Sequence, residues 1–218
     1  MKTLLQVQNL PEYNNEYTKT LLDNKSLFDE LFQVCCQSKW SAGTSGSYLI
    51  DGTGYEYYLG MYNKQKLLFD TAKNSTNVLE IGTYIGHSLL IMLLSNPRLN
   101  ITCVDLDIKF PKPATQFLQE KFTNSNIKFF YGNSLDVVPS LTEKYDLFHI
   151  DGNHSEEVIK IDFENVLKLA KDPIVKIIFD DVGCCWSFFE TLPKTYQTQN
   201  IIIPESEYRN AYIEIVLE

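Results

Sequence analysis

The sequence predicts a doubly wound α/β fold: seven mostly parallel strands, an antiparallel last strand, and an N-terminal helical and lid extension. Three observations predict it. From Asn77 onward, apolar β-rich runs alternate with helical patterns. The runs VLEI, DLFHI and VKIIF are almost continuously apolar, as strands covered on both faces of a parallel sheet must be. The first run ends in a glycine turn, EIGTYIG, that opens onto a helical pattern.

Taken in order, residues 26–36 place Leu27, Phe28, Leu31, Phe32 and Cys35 at helical spacing, and Ser26 followed by Asp29 resembles a capping box. Residues 40–60 mix glycine and serine with many aromatics, which suits a loop that folds over a ligand. NVLEIG, a helix to Asn96, NITCVD, a helix through about Phe122, and NIKFFYG form a βαβαβ half. YDLFHID, a helix around 155–171, IVKIIFDD, a helical stretch near 186–196, NIIIP and AYIEIVL complete the second half. The division that follows is an extension over residues 1–60 and one α/β domain over residues 61–218.

Composition excludes several classes. Of 218 residues, 44% are hydrophobic and 22% charged, which is ordinary for a globular chain able to bury a full core. The formal net charge of −9, without a block of Lys or Arg, lacks the basic footprint of a protein that grips phosphate backbones, so no nucleic-acid partner is expected. The five cysteines include two adjacent pairs, Cys35-Cys36 and Cys184-Cys185, which read as reduced thiols rather than a disulfide framework. No run approaches membrane-spanning length and the N-terminus does not read as a signal peptide, so the expectation is a soluble cytoplasmic protein without a membrane partner; a homodimer is compatible with it.

The turn Glu80-Ile81-Gly82-Thr83-Tyr84-Ile85-Gly86-His87-Ser88 combines glycines, which let backbone approach a ligand, with a helix start whose free amides attract an anion. Three residues separate Gly82 from Gly86, so the G-x-G-x-x-G fingerprint of nicotinamide cofactors is absent. Asp105 ends the second strand, where a carboxylate can accept from both ribose hydroxyls, with Asp107 as the alternative reader. Gly132-Asn133-Ser134, after the third strand, offers polar groups to an adenine.

From about Tyr62 to Gly183 the chain resembles the class I S-adenosylmethionine (SAM)-dependent O-methyltransferases. The branch it resembles includes the catechol and caffeoyl-CoA enzymes and the macrolide and aminocoumarin sugar O-methyltransferases. VLEIGTYIGHS, GNSLDVVPSL and YDLFHIDG carry the resemblance. It implies SAM as cofactor, held by Glu80, Gly82, Thr83, Tyr84, Gly86, Ser88, Asp105, Asn133, Ser134 and Asp151, with Ser88 on the methionine carboxylate.

In the strand order that the resemblance implies, Asp151 ends the fourth strand beside Asp180 and Asp181 at the end of the fifth. Three carboxylates on one spot repel unless a cation compensates, and oxygen ligands favour Mg²⁺ or Mn²⁺ over zinc. His154 occupies the position of the catalytic base in the resembled family. The helix start near Ser155 is expected to disfavour imidazolium there and leave a neutral base. The metal would lower the acceptor's pKa, and His154 would take its proton as the oxygen attacks the SAM methyl in line.

Tyr48, Asp51, Tyr55 and Trp186, with Cys184 and Cys185, are candidate acceptor contacts, while His149 and His87 are read as packing or orienting residues. The acceptor is expected to be a small molecule or glycan with a free hydroxyl. Asp180-Asp181 together with His154 matches the sugar branch, where catechol enzymes carry Asp-Asn and lysine. The rival readings are a catechol or phenol O-methyltransferase, a SAM-fold partner protein that does not turn over, and a nicotinamide dehydrogenase, whose pyrophosphate the loop would have to accept without a second close glycine.

Overall fold

A computed structural model of the chain describes residues 2–35, 56–57, 59–205 and 210–217. The expected seven-stranded sheet is present, built from β3 (Asn77–Ile81), β4 (Asn100–Asp105), β5 (Asn126–Tyr131), β6 (Leu147–Ile150), β7 (Ile174–Phe179), β8 (Gln197–Ile202) and β9 (Ala211–Val216). Their order is β5-β4-β3-β6-β7-β9-β8. β5, β4, β3, β6 and β7 pair in parallel, while β9 runs antiparallel to both of its neighbours. The order reverses between β3 and β6, and open α/β sheets bind ligands beyond the strand C-termini at such a switch point. β3 delivers Gly82 there and β6 delivers Asp151.

Alternation along the strands sorts side chains between two layers. Val78, Ile101, Cys103 and Leu147 join one apolar cluster; Leu79, Ile81, Val104, Phe148 and Ile150 join the other. The first cluster is covered by α2 (Glu16–Asp23), α3 (Lys25–Cys35), α4 (Tyr62–Ala72), α5 (His87–Ser95) and α6 (Pro111–Lys121). The second lies under α8 (Glu156–Lys168) and the short α9 (Trp186–Phe189) and α10 (Leu192–Thr195). A short helix, α1 (Leu4–Gln8), leads into the first layer through the fully buried Val7. β1 (Lys2–Thr3) and β2 (Glu56–Tyr57) form a separate antiparallel pair.

Several local expectations shift. α3 starts at Lys25, so Ser26 lies inside the helix and does not cap it; the side-chain cap in this region is Asn15, which accepts from the Thr18 amide at the start of α2. The stretch expected as one helix over 186–196 is two short ones, α10 carrying Pro193 in its first turn, where a missing N–H costs nothing. β8 begins at Gln197 rather than Asn200, with an irregularity between Gln199 and Ile202 where Asn200 takes φ 50°. The N-terminal helices share one hydrophobic cluster with α4, α5 and α6, so the extension is packed into the α/β core.

Candidate functional site

The loop after β3 is braced from beneath by one buried carboxylate. Glu80 points into the first layer, in step with Val78, and is fully buried. Thr83 Oγ1 donates to Glu80 Oε2 at 3.0 Å and Ser88 Oγ to Glu80 Oε1 at 2.6 Å, while His149 Nδ1 lies 3.2 Å from the same Oε1. Charge-assisted bonds of this kind offset the desolvation of the carboxylate. Thr83 and Ser88 thus turn their side chains inward, and the loop offers a ligand its backbone rather than these hydroxyls. Beside them, burial and the Glu80 charge push the Cys103 thiol well above its ordinary pKa, so it stays neutral.

Asp105 holds the same loop from above. Its Oδ2 accepts the Thr83 and Tyr84 amides, each at 2.8 Å, and its Oδ1 accepts the Asp107 amide at 2.8 Å. Tyr84 adopts φ 47°, so these bonds hold a strained turn. The glycines serve packing more directly than ligand approach. A Cβ on Gly82, at φ 87°, would stand 2.1 Å from the Asp151 carbonyl oxygen, because the ends of β3 and β6 touch here. Gly86, at φ 77°, caps α5 with 3.0 Å between a built Cβ and Ala114. After β5, Asn133 caps the short α7 (Ser134–Val137) through the Leu135 amide at 3.1 Å.

At the ends of β6 and β7 a compact charged group forms. His149, Asp151 and Asp180 each bring one donor atom within 4.8 Å of the others. Asp180 is buried, and among the described residues its Oδ1 has no hydrogen-bond donor. Burial and the adjacent Asp180 push the Asp151 carboxyl well above the usual carboxylate range. Asp181 departs from the expected triad: at φ 45° its side chain turns away, and Oδ2 lies 3.3 Å from His154 Nδ1. His154 Nε2 is 3.7 Å from Asp151 Oδ1, so the imidazole bridges two carboxylates.

This geometry reverses the expected electrostatics of His154. The hydrogen bond with Asp181 raises its pKa above the ordinary value, outweighing burial, so the neighbouring carboxylate and not the start of α8 decides the shift. Asp181 is held correspondingly low by the same bond.

Residues 79–182 match the methyltransferase domain family Methyltransf_24. Over these residues the chain is similar to a methyltransferase domain. The wider chain resembles solved structures at the level of fold. The O-methyltransferase from Bacillus cereus in complex with SAH superposes with TM-score 0.60 at 19% identity, over 88% of this chain and 90% of that one. TomG from Streptomyces achromogenes, an O-methyltransferase of tomaymycin synthesis in complex with SAM, gives 0.59 at 16% over the whole of both chains. The N-methyltransferase NodS from Bradyrhizobium japonicum WM9 gives 0.54 at 14%, over 73% and 98%. The same frame therefore carries O- and N-methyltransferases, and the acceptor must be argued from side chains.

The matched stretch contains every candidate base, carboxylate and loop residue named from the sequence except Trp186 and the lid residues. Trp186 packs on Phe189, with ring centroids 5.8 Å apart, against the second core cluster. Cys184 is exposed and Cys185 buried, the latter's thiol pushed up to about 11 by burial. Tyr48, Asp51 and Tyr55 lie outside the described residues.

Sequence reasoning missed Lys64. It stands on α4, ahead of the matched stretch, with its ammonium 2.5 Å from Asp180 Oδ2 and 3.9 Å from Asp181 Oδ1. Burial works to lower its pKa, but Asp180, Asp151 and Asp181 together outweigh burial and hold it above the ordinary lysine value. The available signal was a lysine one turn before Leu68 on a helix whose Tyr62, Gln65, Leu68, Phe69 and Ala72 face the core.

The fit of this group to a divalent cation can be tested on its donors. Asp180 Oδ1 is a buried hard oxygen without a donor among the described residues, and Asp151 lies beside it, which suits Mg²⁺ or Mn²⁺. These two residues would hold the ion, and Asp181 would have to leave His154 to join them.

Proposed function

We propose that the chain is a SAM-dependent O-methyltransferase, assisted by Mg²⁺ or Mn²⁺, whose acceptor is a sugar hydroxyl in a small molecule or glycan. The observation that carries this reading is His154 lying between Asp151 and Asp181 at the switch point, beside the glycine loop of a methyltransferase domain. The fold neighbours that hold SAM or SAH support the cofactor.

The roles follow from position. The loop of Gly82, Thr83 and Tyr84, its amides held by Val104 and Asp105, lets backbone come close to SAM, and the start of α5 presents its first-turn amides to the methionine carboxylate. Asp105 Oδ1 keeps acceptor capacity for a ribose hydroxyl, and Asn133 and Ser134 flank the adenine end. Asp151 and Asp180 would hold a divalent ion, which when bound would supply positive charge that lowers the acceptor hydroxyl's pKa. His154 takes the acceptor's proton as the oxygen attacks the methyl and the methyl–sulfur bond breaks, its electron pair staying on the sulfur of S-adenosylhomocysteine, and Asp181 stabilises the imidazolium formed. An alcohol is a weaker acid than a phenol, so a base whose pKa is raised by a carboxylate suits a sugar better than a catechol.

The test is turnover of SAM against a panel of sugars, nucleotide sugars and catechols, with and without chelator. Sugar turnover that is lost on chelation and restored by Mg²⁺ or Mn²⁺ is expected. His154→Ala should lower kcat by roughly 10²–10⁴ with SAM affinity unchanged. Efficient turnover of catechols and of no sugar overturns the acceptor assignment and leaves methyl transfer standing.

A further inference from the structure

The acidic group already contains a cation supplied by the chain. Lys64 and Asp180 are buried together, their side chains 7% and 3% exposed. The ammonium sits at 2.5 Å from one oxygen of Asp180, while the other, Oδ1, has no donor among the described residues. An ammonium is costly to bury, and it is tolerated here because carboxylates surround it. Those carboxylates, Asp151 and Asp180, are the ones a divalent ion would need, and α4 fixes the lysine backbone: Asn210 donates to the Lys64 carbonyl at 3.3 Å. Like charges confined in a partly dry site repel strongly, so ammonium and divalent ion cannot both hold Asp180 at full strength.

We infer that Lys64 is a tethered competitor of the divalent cation: it pairs with Asp180 beside Asp151 in the metal-free protein, and the metal binds by displacing its ammonium. This rests on the metal reading proposed above. Lys64 is then a positioning residue that sets how much free metal the protein needs before the carboxylates accept it.

The probe is Mn²⁺ binding by calorimetry to the intact chain and to the variants Lys64→Gln and Lys64→Arg. The glutamine amide can still donate to Asp180 but carries no charge, so Lys64→Gln should bind Mn²⁺ at least about tenfold more tightly than the wild type. Lys64→Arg keeps the charge and should not gain affinity. A merely structural lysine predicts the opposite, since its loss would loosen the ligands and weaken binding. Equal or weaker binding by Lys64→Gln overturns the competition while leaving the metal reading intact. Absence of binding in all three proteins overturns both. Should Lys64→Gln fail to fold in metal-free buffer, its thermal transition is followed against Mn²⁺. Recovery of a cooperative transition below the wild-type Kd supports the competition, and no recovery overturns it.

Discussion

Gly82 and Asp162 show how single residues carry the site. A methyl group on Gly82 would meet the Asp151 carbonyl at 2.1 Å, backbone against backbone, so nothing flexible can yield. Gly82→Ala should cost about 3 kcal/mol or more in a urea melt, the upper end of overpacking penalties, and should disturb Asp151 as well. Asp162, on α8, is fully buried with neither oxygen hydrogen-bonded among the described residues, and burial raises its pKa to about 6, tempered by the Ser134 hydroxyl nearby. The folded state therefore holds this proton more tightly than the unfolded chain, whose carboxyl titrates near 3.8. The penalty is absent below that value, grows through the interval to about 6 and is complete above it. The stability of Asp162→Asn relative to wild type should thus improve by roughly 3 kcal/mol between pH 3.5 and pH 7, measured by denaturant melts at both. A pH-independent difference would contradict the assignment.

His154 could be singled out in the sequence because it stands three residues after Asp151, where the resembled family carries its base. Its electrostatics were not legible there, since they depend on Asp181 adopting φ 45° and turning its carboxylate toward the ring. Lys64 was illegible for a related reason: its partner Asp180 is 116 positions away, and periodicity places a lysine on a face without naming what it meets.

Among the elements, the central strands were readable because parallel strands buried on both faces are uninterrupted apolar runs. β8 was read less well, because it is a largely exposed edge strand whose QTQN start has no apolar pattern. α2 and α4 gave weaker signals, mixing polar residues into their buried faces: Thr18 in α2, Lys64 and Gln65 in α4. α3 binds the N-terminal region to the loop: Leu31 is fully buried, its Cδ2 near Gly86, and Phe28 packs on the His87 ring at 5.7 Å. Leu31→Ala should destabilise the whole protein by about 2–5 kcal/mol in a single transition, as a core truncation does. A separate, earlier transition in calorimetry would instead make residues 1–60 an independent unit.

At the scale of the whole molecule, the strand order puts the Glu80 and Asp105 braces on one side of the switch point and the His154, Asp151 and Asp180 group on the other. A cofactor across that gap would have its carboxylate end at α5 and its reactive end facing the histidine, the arrangement methyl transfer needs. Among the described residues no helix is long and apolar enough to cross a membrane. The measurement that tests this most directly is calorimetric binding of SAM to the wild type and to Asp105→Ala. The wild type should bind one SAM per chain. The variant should bind about 1.5–3 kcal/mol more weakly, having lost the carboxylate proposed to accept from the ribose and the clamp on the Thr83 and Tyr84 amides. A folded wild-type protein that binds no SAM would contradict the account at its centre.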